Sequence, residues 1–580
     1  MAAPSFVHPP VVSAAPGLAA SIASPSKAWF ASMVGVVALA TWLRTASLGV
    51  EGIWLDEVYS AAFANLGPLD IIVSTLRFDL HPPLFYLQLK LWSLFSPSET
   101  WLMLNPVFWG LATLGLVCLG VWQMTGSPRA TLVAATLLAS LGSEVFLASE
   151  LRMYTLVSFL CVAGWMLAGA WGRHPSAARG AGLVALLAAL AATHSSAMIP
   201  ISSTIVYGAL WRWRESGLRG LRQAGPVVLG TGLVLLPWLL NASARQVSHT
   251  HVPTPIMVVK TISSWLVGSE TYTLPSPLDT LSGTGVLLVA IGLLWVGSPT
   301  VRFTLLSMFI WPVISVAGFS VTLYPLWLLR SMAFVMPFLC IAAAMAVRER
   351  VPDVMGPMSR AVLWLSLLLV TTGGTWAALK QSRTPHKFEY REVATMLARE
   401  NIGREPIHIP TNTAYWGMVH YLKGPGWGSV LAVQDPVRPD DSDRWSRIYA
   451  RLGPTWLARL GLTPTTRWLD TPAGPAWIGL SPLPDDVRAR GFWLIDHMGF
   501  GKYVGGCGTA SEVRRQYYRG LIVLHCGAAT ESGATRSSVD PAWPEPLPAP
   551  KDRSGQTHQR VTGETTASRG QRVTSTVTFS

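Results

Sequence analysis

Trp54-Leu55-Asp56-Glu57-Val58-Tyr59-Ser60, followed by His81-Pro82-Pro83-Leu84-Phe85-Tyr86, is the stretch on which the fold turns. Just before it, residues 28–48 form an apolar run that meets the ~20 residues needed to cross a bilayer. Two adjacent carboxylates and a histidine therefore stand in a polar loop at a membrane face. Ionisable groups in such a place are costly and are functional candidates by default.

The rest of the chain agrees with a membrane setting. Half of the 580 residues are apolar and only 13% are charged. Apolar runs recur at residues 101–124, 130–149, 155–171, 226–240, 281–296, 303–323, 331–347 and 361–379. Runs of this length with almost no charge have no economical place in a soluble fold. The net charge of +13 comes from arginines between these runs and in the terminal tail, without interleaved aromatics. That pattern sets membrane orientation and argues against a nucleic-acid partner. The opening residues 1–27, rich in Ala, Pro and Ser, read as a disordered lead. The run after them is too long and too weakly basic in front for a signal peptide, so it reads as a retained first helix.

Residues 182–211 are too long for one crossing and short for two. Thr193-His194-Ser195-Ser196 interrupts them in the middle, as the tip of a helical hairpin would. Counting two crossings there gives about eleven helices in all. Arg129, Arg173, Arg179, the Arg212–Arg222 cluster, Arg302, Arg348, Arg350 and Arg360 then all fall inside, the positive-inside pattern. The amino terminus is accordingly expected in the cytoplasm. The loop 49–100 and everything after residue 379 are expected outside, with residues 258–267 lying flat at the interface.

Beyond residue 379 the composition becomes that of a soluble domain. Residues 390–401 have helical periodicity, and 406–410, 429–433, 492–495 and 521–525 read as short strands. Helices alternating with strands predict an extracytoplasmic α/β domain over residues 380–526 with a mostly parallel sheet. Residues 527–580 read as a disordered tail. Cys507 and Cys526 both lie outside and are expected to pair, whereas Cys118, Cys161 and Cys340 sit inside apolar runs.

Within this frame the candidate residues each have a functional and a bland reading. Asp56 and Glu57 offer a base for proton abstraction from an acceptor, or simply an acidic cap on the next helix. Adjacent carboxylates on a non-helical stretch diverge, so one faces a substrate and the other a charge partner. His81, pinned by two prolines, can donate to a phosphate or orient a hydroxyl, or is incidental to a turn. Glu150, Arg152 and Tyr154 in the second outer loop bring a second carboxylate and a phosphate-binding guanidinium, or an interfacial ion pair. Arg330 is a candidate for an anionic lipid phosphate, or a cation snorkelling from a helix end. His194 reads first as a satisfied interfacial residue.

Taken together, Trp54-Leu55-Asp56-Glu57, the His81-Pro82-Pro83 segment, Glu150-x-Arg152-x-Tyr154, the Thr193-His194 hairpin and Arg330 resemble the C-type integral-membrane glycosyltransferases. The resembling branch holds protein O-mannosyltransferases and lipid A aminoarabinose transferases, and the likeness spans residues 28–379. It implies transfer of a sugar from a polyprenyl-phosphate donor, with inversion, to an acceptor that is lipid, polysaccharide or protein. In that scheme Asp56 is the base, with Glu57 beside it as a catalytic candidate. Glu150 shapes the site or holds a divalent ion together with Asp56. Arg152 and Arg330 meet the carrier phosphate, and His81, Tyr154 and His194 line the substrate. The carrier's tail lies among the helices with the membrane lipids. The late motif departs from the family, with Ser331 after Arg330 where relatives often carry an aromatic. The alternative is a flippase for a lipid-linked glycan, using Asp56 and Glu150 as proton relays. Transporters place such charges near the midplane rather than in loops.

Overall fold

The computed structural model describes residues 26–77, 81–242, 252–267, 276–322, 327, 329–348, 365, 368, 371–380, 383–410, 412–423, 468–471, 473–478, 483, 485–497, 507, 512–527, 562–566 and 572–576. The disordered lead, the strand expected at 429–433 and much of the late motif before Arg330 lie outside them.

The amino-terminal part is helical. Helix α1 (Lys27–Thr45) is followed by α2 (Leu55–Asn65), α3 (Pro68–Arg77) and α4 (Leu84–Ser93) in the first loop. Then come α5 (Glu99–Thr125), α6 (Pro128–Ser140), α7 (Gly142–Ala148), α8 (Tyr154–Arg173), α9 (Ala177–Ala191) and α10 (Met198–Ala242). The series continues with α11 (Pro255–Val267), α12 (Ser276–Val296), α13 (Pro299–Leu305), α14 (Trp311–Thr322), α15 (Leu329–Met332) and α16 (Met336–Arg348). Among the described residues five helices are long and apolar enough to cross a membrane, or six if the pair α6–α7, bent by 58°, is one broken span. The chain is thus a multi-pass membrane protein. Helices α9 and α11 are apolar but shorter, and most of the run expected to cross at residues 361–379 lies outside the described residues.

Three breaks in the helices have local causes. Between α6 and α7 the chain leaves carbonyls unpaired, which is expensive away from water. Arg44, fully buried on α1, answers by donating to Leu138 and Ala139 carbonyls at 3.1 and 3.2 Å. The hairpin expected at residues 193–196 is present between α9 and α10, which pack on each other. Helix α10 in turn breaks at Ser216–Gly217, where Gly217 has φ 54°, in the middle of the Arg212–Arg222 cluster. Helix α11 covers the segment expected to lie flat at the interface and packs against α12 and α7. Ile262 and Trp265 are fully buried and Thr261 accepts from the Trp327 indole at 3.1 Å.

After the helices, α17 (Tyr390–Glu400) packs on α18 (Asn412–Lys423), which packs on β1 and β4 of a six-stranded sheet. Its strands are β1 (Ile407–Ile409), β2 (Trp468–Thr471), β3 (Gly474–Ile478), β4 (Phe492–His497), β5 (Glu512–Tyr518) and β6 (Leu521–Cys526), in the order β2-β3-β1-β4-β6-β5. A short helix α19 (Asp485–Arg488) precedes β4. Only the β1–β3 and β1–β4 pairs are parallel; the other three are antiparallel, so the sheet is mixed rather than mostly parallel. The reason is legible afterwards. Central strands β1, β4 and β6 are apolar, whereas edge strand β5 is charged and exposed and gives no apolar signal. It returns into β6 through a tight turn at Arg519-Gly520, where Gly520 takes φ 76° against the Phe388 ring.

Residues up to Ala529 form one compact unit, so the sheet and the helices share it. In the second unit, within the stretch expected to be disordered, β7 (Thr562–Thr566) pairs antiparallel with β8 (Arg572–Thr576).

Cys507 and Cys526 are disulfide-bonded, 19 residues apart, and Cys118, Cys161 and Cys340 are free. Peptide mapping without reductant is expected to return the Cys507–Cys526 cross-link and three alkylated thiols. Reduction should lower stability by about 2–4 kcal/mol, read as a drop in melting temperature. Finding Cys507 and Cys526 both alkylated in protein purified without reductant would contradict the pairing.

Candidate active site

Helix α2 starts where Trp54 holds an extended conformation and Glu57, in the first turn, reaches back to accept the Trp54 backbone N–H at 3.0 Å. Asp56 and Glu57 are therefore helical, not on an irregular stretch as expected. They still diverge, because successive helical side chains point ~100° apart. Glu57 turns inward and is fully buried, whereas the Asp56 side chain keeps 26% of its surface exposed. Both place negative charge at the positive end of the helix.

The inward face is an ionic cluster. One Glu57 oxygen accepts from the Leu151 backbone N–H at 2.7 Å and from Lys387 Nζ at 2.7 Å. Lys387, itself buried, also donates to the Ser149 carbonyl at 2.7 Å. Glu150 accepts from the Trp54 indole N–H at 2.9 Å, and its other oxygen lies 3.4 Å from His386 Nε2. The opposite nitrogen of His386 is 3.2 Å from Glu51. Glu51 also accepts the His386 and Lys387 backbone N–H groups at 2.6 and 2.9 Å, and pairs with Arg519 at 3.1 Å. Tyr421 donates to Glu99 at 3.0 Å and accepts from the Ile53 backbone N–H at 2.6 Å.

Charge and burial compete here. Burial raises the Glu57 carboxyl above the usual carboxylate range, against the pull of Lys387. Burial also works against ionised Glu150, but the nearby Lys387 and His386 hold that group below its usual range. Burial would lower His386, yet its hydrogen bonds to Glu150 and Glu51 raise it to about 9.

The outward face gathers the remaining candidates. Asp56 is 3.4 Å from Arg330, whose guanidinium also lies 6.0 Å above the Trp54 ring. Arg152, mostly buried, donates to the Asp56 backbone carbonyl at 2.9 Å and to Ser60 Oγ at 3.3 Å. His81 reaches Ser195 Oγ at 3.5 Å, its ring 4.7 Å from that of His194. The Leu84 N–H donates to the Ala192 carbonyl at 2.8 Å and ties the His81 loop to the hairpin tip. Tyr154 packs 5.6 Å from His194. Burial, helped by the charges of Arg152 and Arg330, pushes His194 down to about 3, so it is neutral beside two guanidiniums.

All eight sequence candidates thus meet around the start of α2, in two groups. Asp56, His81, Arg152, Tyr154, His194 and Arg330 form the outward group; Glu57 and Glu150 belong to the ionic cluster. Asp56 faces Arg330, whereas Glu150 faces Trp54 and His386. Among the described residues no three His, Cys, Asp or Glu side chains cluster as metal ligands. Sequence reasoning missed Glu51, His386, Lys387 and Arg519. A lysine just past an apolar run looks the same whether it snorkels or is buried, and only the fold tells them apart.

No family model matches the chain, and no curated protein matches it by sequence. By structure it is similar to ArnT from Cupriavidus metallidurans in the apo state, with a TM-score of 0.54 at 14% identity over 86% of this chain and 98% of that one. It is also similar to the same protein bound to undecaprenyl phosphate, with a TM-score of 0.51 at 15% identity and the same coverage. The chain has the fold of these membrane proteins, the GT-C architecture expected from the resemblance.

Two outcomes follow from the cluster. A histidine whose folded value is raised stabilises fully below its unfolded value of ~6.5, and that stabilisation is lost as pH rises through about 9. The melting temperature in detergent is therefore expected to fall between pH 6.5 and 9, by a contribution of up to about 3 kcal/mol. His386→Asn should flatten that window; an unchanged slope would count against the assignment. Lys387→Met leaves Glu57 buried without its partner and should cost ~3–5 kcal/mol by denaturation.

Proposed function

We propose that this protein is a glycosyltransferase that moves a sugar from a polyprenyl-phosphate carrier to an acceptor at the outer face of the membrane, inverting the anomeric carbon. The observation that carries the reading is a partly exposed carboxylate, Asp56, facing Arg330 at the head of a helix, with Arg152, His81, His194 and Tyr154 around it. The undecaprenyl phosphate held by the structurally similar ArnT supports a polyprenyl carrier here. The topology that goes with this reading has about eleven crossings, a cytoplasmic amino terminus and an extracytoplasmic α/β domain. It is supported by Glu57 and Lys387 touching, since the first loop and the segment leading to the sheet then lie on one side.

The chemistry follows from the two faces of α2. The Asp56 carboxylate takes the proton of the acceptor as its heteroatom bonds to the anomeric carbon. The bond from that carbon to the phosphate oxygen breaks, and the electron pair leaves with the phosphate. Arg330, with Arg152 behind it, meets the charge that grows there, which is commonly the largest contribution to rate. A partly exposed ion pair such as Asp56–Arg330 is worth only ~0–1 kcal/mol. An incoming phosphate, which a guanidinium grips through two parallel bonds, therefore displaces Asp56 readily and leaves it to the acceptor. His81 and neutral His194 orient hydroxyls. Glu57 and Glu150 serve by holding the two loops together.

Asp56→Asn should cut transfer from undecaprenyl-phosphate sugars by about 10²–10⁴-fold while leaving binding of undecaprenyl phosphate intact. Arg330→Ala should weaken that binding about tenfold or more, the loss of one charge-assisted contact. Transfer by Asp56→Asn at the wild-type rate would refute the assignment of the base.

A further inference from the structure

We propose that Lys387 is a positioning residue for Asp56, set in place by the sheet domain through Arg519; the proposal rests on the glycosyltransferase reading above. Lys387 follows the helical stretch 371–380 and enters between the two outer loops instead of linking passively to the sheet. Its ammonium touches one group from each loop, Glu57 from the first and the Ser149 carbonyl from the second, both at 2.7 Å. Each contact leads to Asp56 by a short path. Glu57 is the next residue in the same helical turn, so holding it fixes the rotation of that turn. Ser149 begins the segment that ends in Arg152, whose guanidinium holds the Asp56 backbone carbonyl at 2.9 Å.

The sheet holds the lysine in turn. Arg519, in the turn between β5 and β6, donates to the Lys387 carbonyl at 3.0 Å and pairs with Glu51 and Glu389 at 3.1 and 3.0 Å. Glu51 clamps the backbone of residues 386 and 387 from the other side. A path of hydrogen bonds and ion pairs, joined through short backbone segments, thus runs from the sheet turn to the base. Stability alone does not call for such a pair, since well-packed apolar residues often serve as well or better than a buried ion pair. What the charges add is a single geometry, because the ammonium is satisfied only when both loops are in place. A displacement of ~1 Å from a change remote from the chemistry can cost about 100-fold in rate.

The test is the double variant Lys387→Met/Glu57→Gln, which removes both charges and leaves neither buried alone. Transfer from a panel of radiolabelled undecaprenyl-phosphate sugars, binding of undecaprenyl phosphate and melting temperature are measured on the full-length protein in detergent. The expected result is near-wild-type melting and lipid-phosphate binding, with KM little changed and kcat lowered about 100-fold. A folded double variant with kcat within about threefold of wild type would overturn the proposal, as would a loss confined to KM. If the double variant does not fold, Arg519→Ala decides, since it leaves the Lys387–Glu57 contact intact; kcat should fall about fivefold or more at unchanged KM. Wild-type kcat in Arg519→Ala would overturn the proposal. No transfer by the wild type from any donor in the panel would instead bring down the functional reading itself.

Discussion

The contact between Glu57 and Lys387 is the one on which the rest of the site depends. Two charges removed from water carry a desolvation cost of several kcal/mol each, and only close geometry with added hydrogen bonds offsets it. Here both conditions hold. Glu57 receives two backbone N–H groups besides the ammonium, and Lys387 also reaches the Ser149 carbonyl. Satisfying them requires three segments far apart in sequence to meet at one point: the head of α2, the loop before α8 and the segment entering the sheet. Any arrangement that separates them leaves a buried charge unpaired.

The outward face obeys the opposite logic. Asp56 and Arg330 are both partly exposed, and their 3.4 Å contact contributes little to stability. A weak pair is what the proposed function needs, because in that proposal a ligand phosphate replaces it. The same turn of helix therefore carries a carboxylate locked for good and a carboxylate left available, separated by one residue. The ~100° between neighbouring side chains on a helix makes that division of labour possible. Buried His194, kept neutral beside Arg152 and Arg330, adds a polar group there without a third charge.

The helical part shows how a bilayer constrains the same protein. Backbone groups in hydrocarbon have to be satisfied within the protein. The bend between α6 and α7 is tolerated because Arg44 caps the carbonyls it exposes. That bend turns the chain toward Glu150 and Arg152, so a capping interaction inside the bundle helps aim the second loop at the first.

The sequence by itself determined the membrane class, the hairpin around Thr193–His194, the helix at residue 390 and the central apolar strands. All are written in long-range periodicity or in apolar runs, which act locally along the chain. It also singled out Asp56, Glu57, His81, Glu150, Arg152, Tyr154, His194 and Arg330, because polar residues next to apolar runs stand out. Only the tertiary structure decided which of these gather around the Asp56–Arg330 pair and which join the buried ionic cluster. That depends on the rotation of α2 and on partners such as Lys387, 330 residues away from Glu57. The mixed sheet likewise escaped, since edge strand β5 is charged and its pairing with β6 is fixed by a turn, not by an apolar signal. Pattern reveals what a segment is; the partners it meets, and hence the division between holding and reacting groups, exist only once the chain is folded.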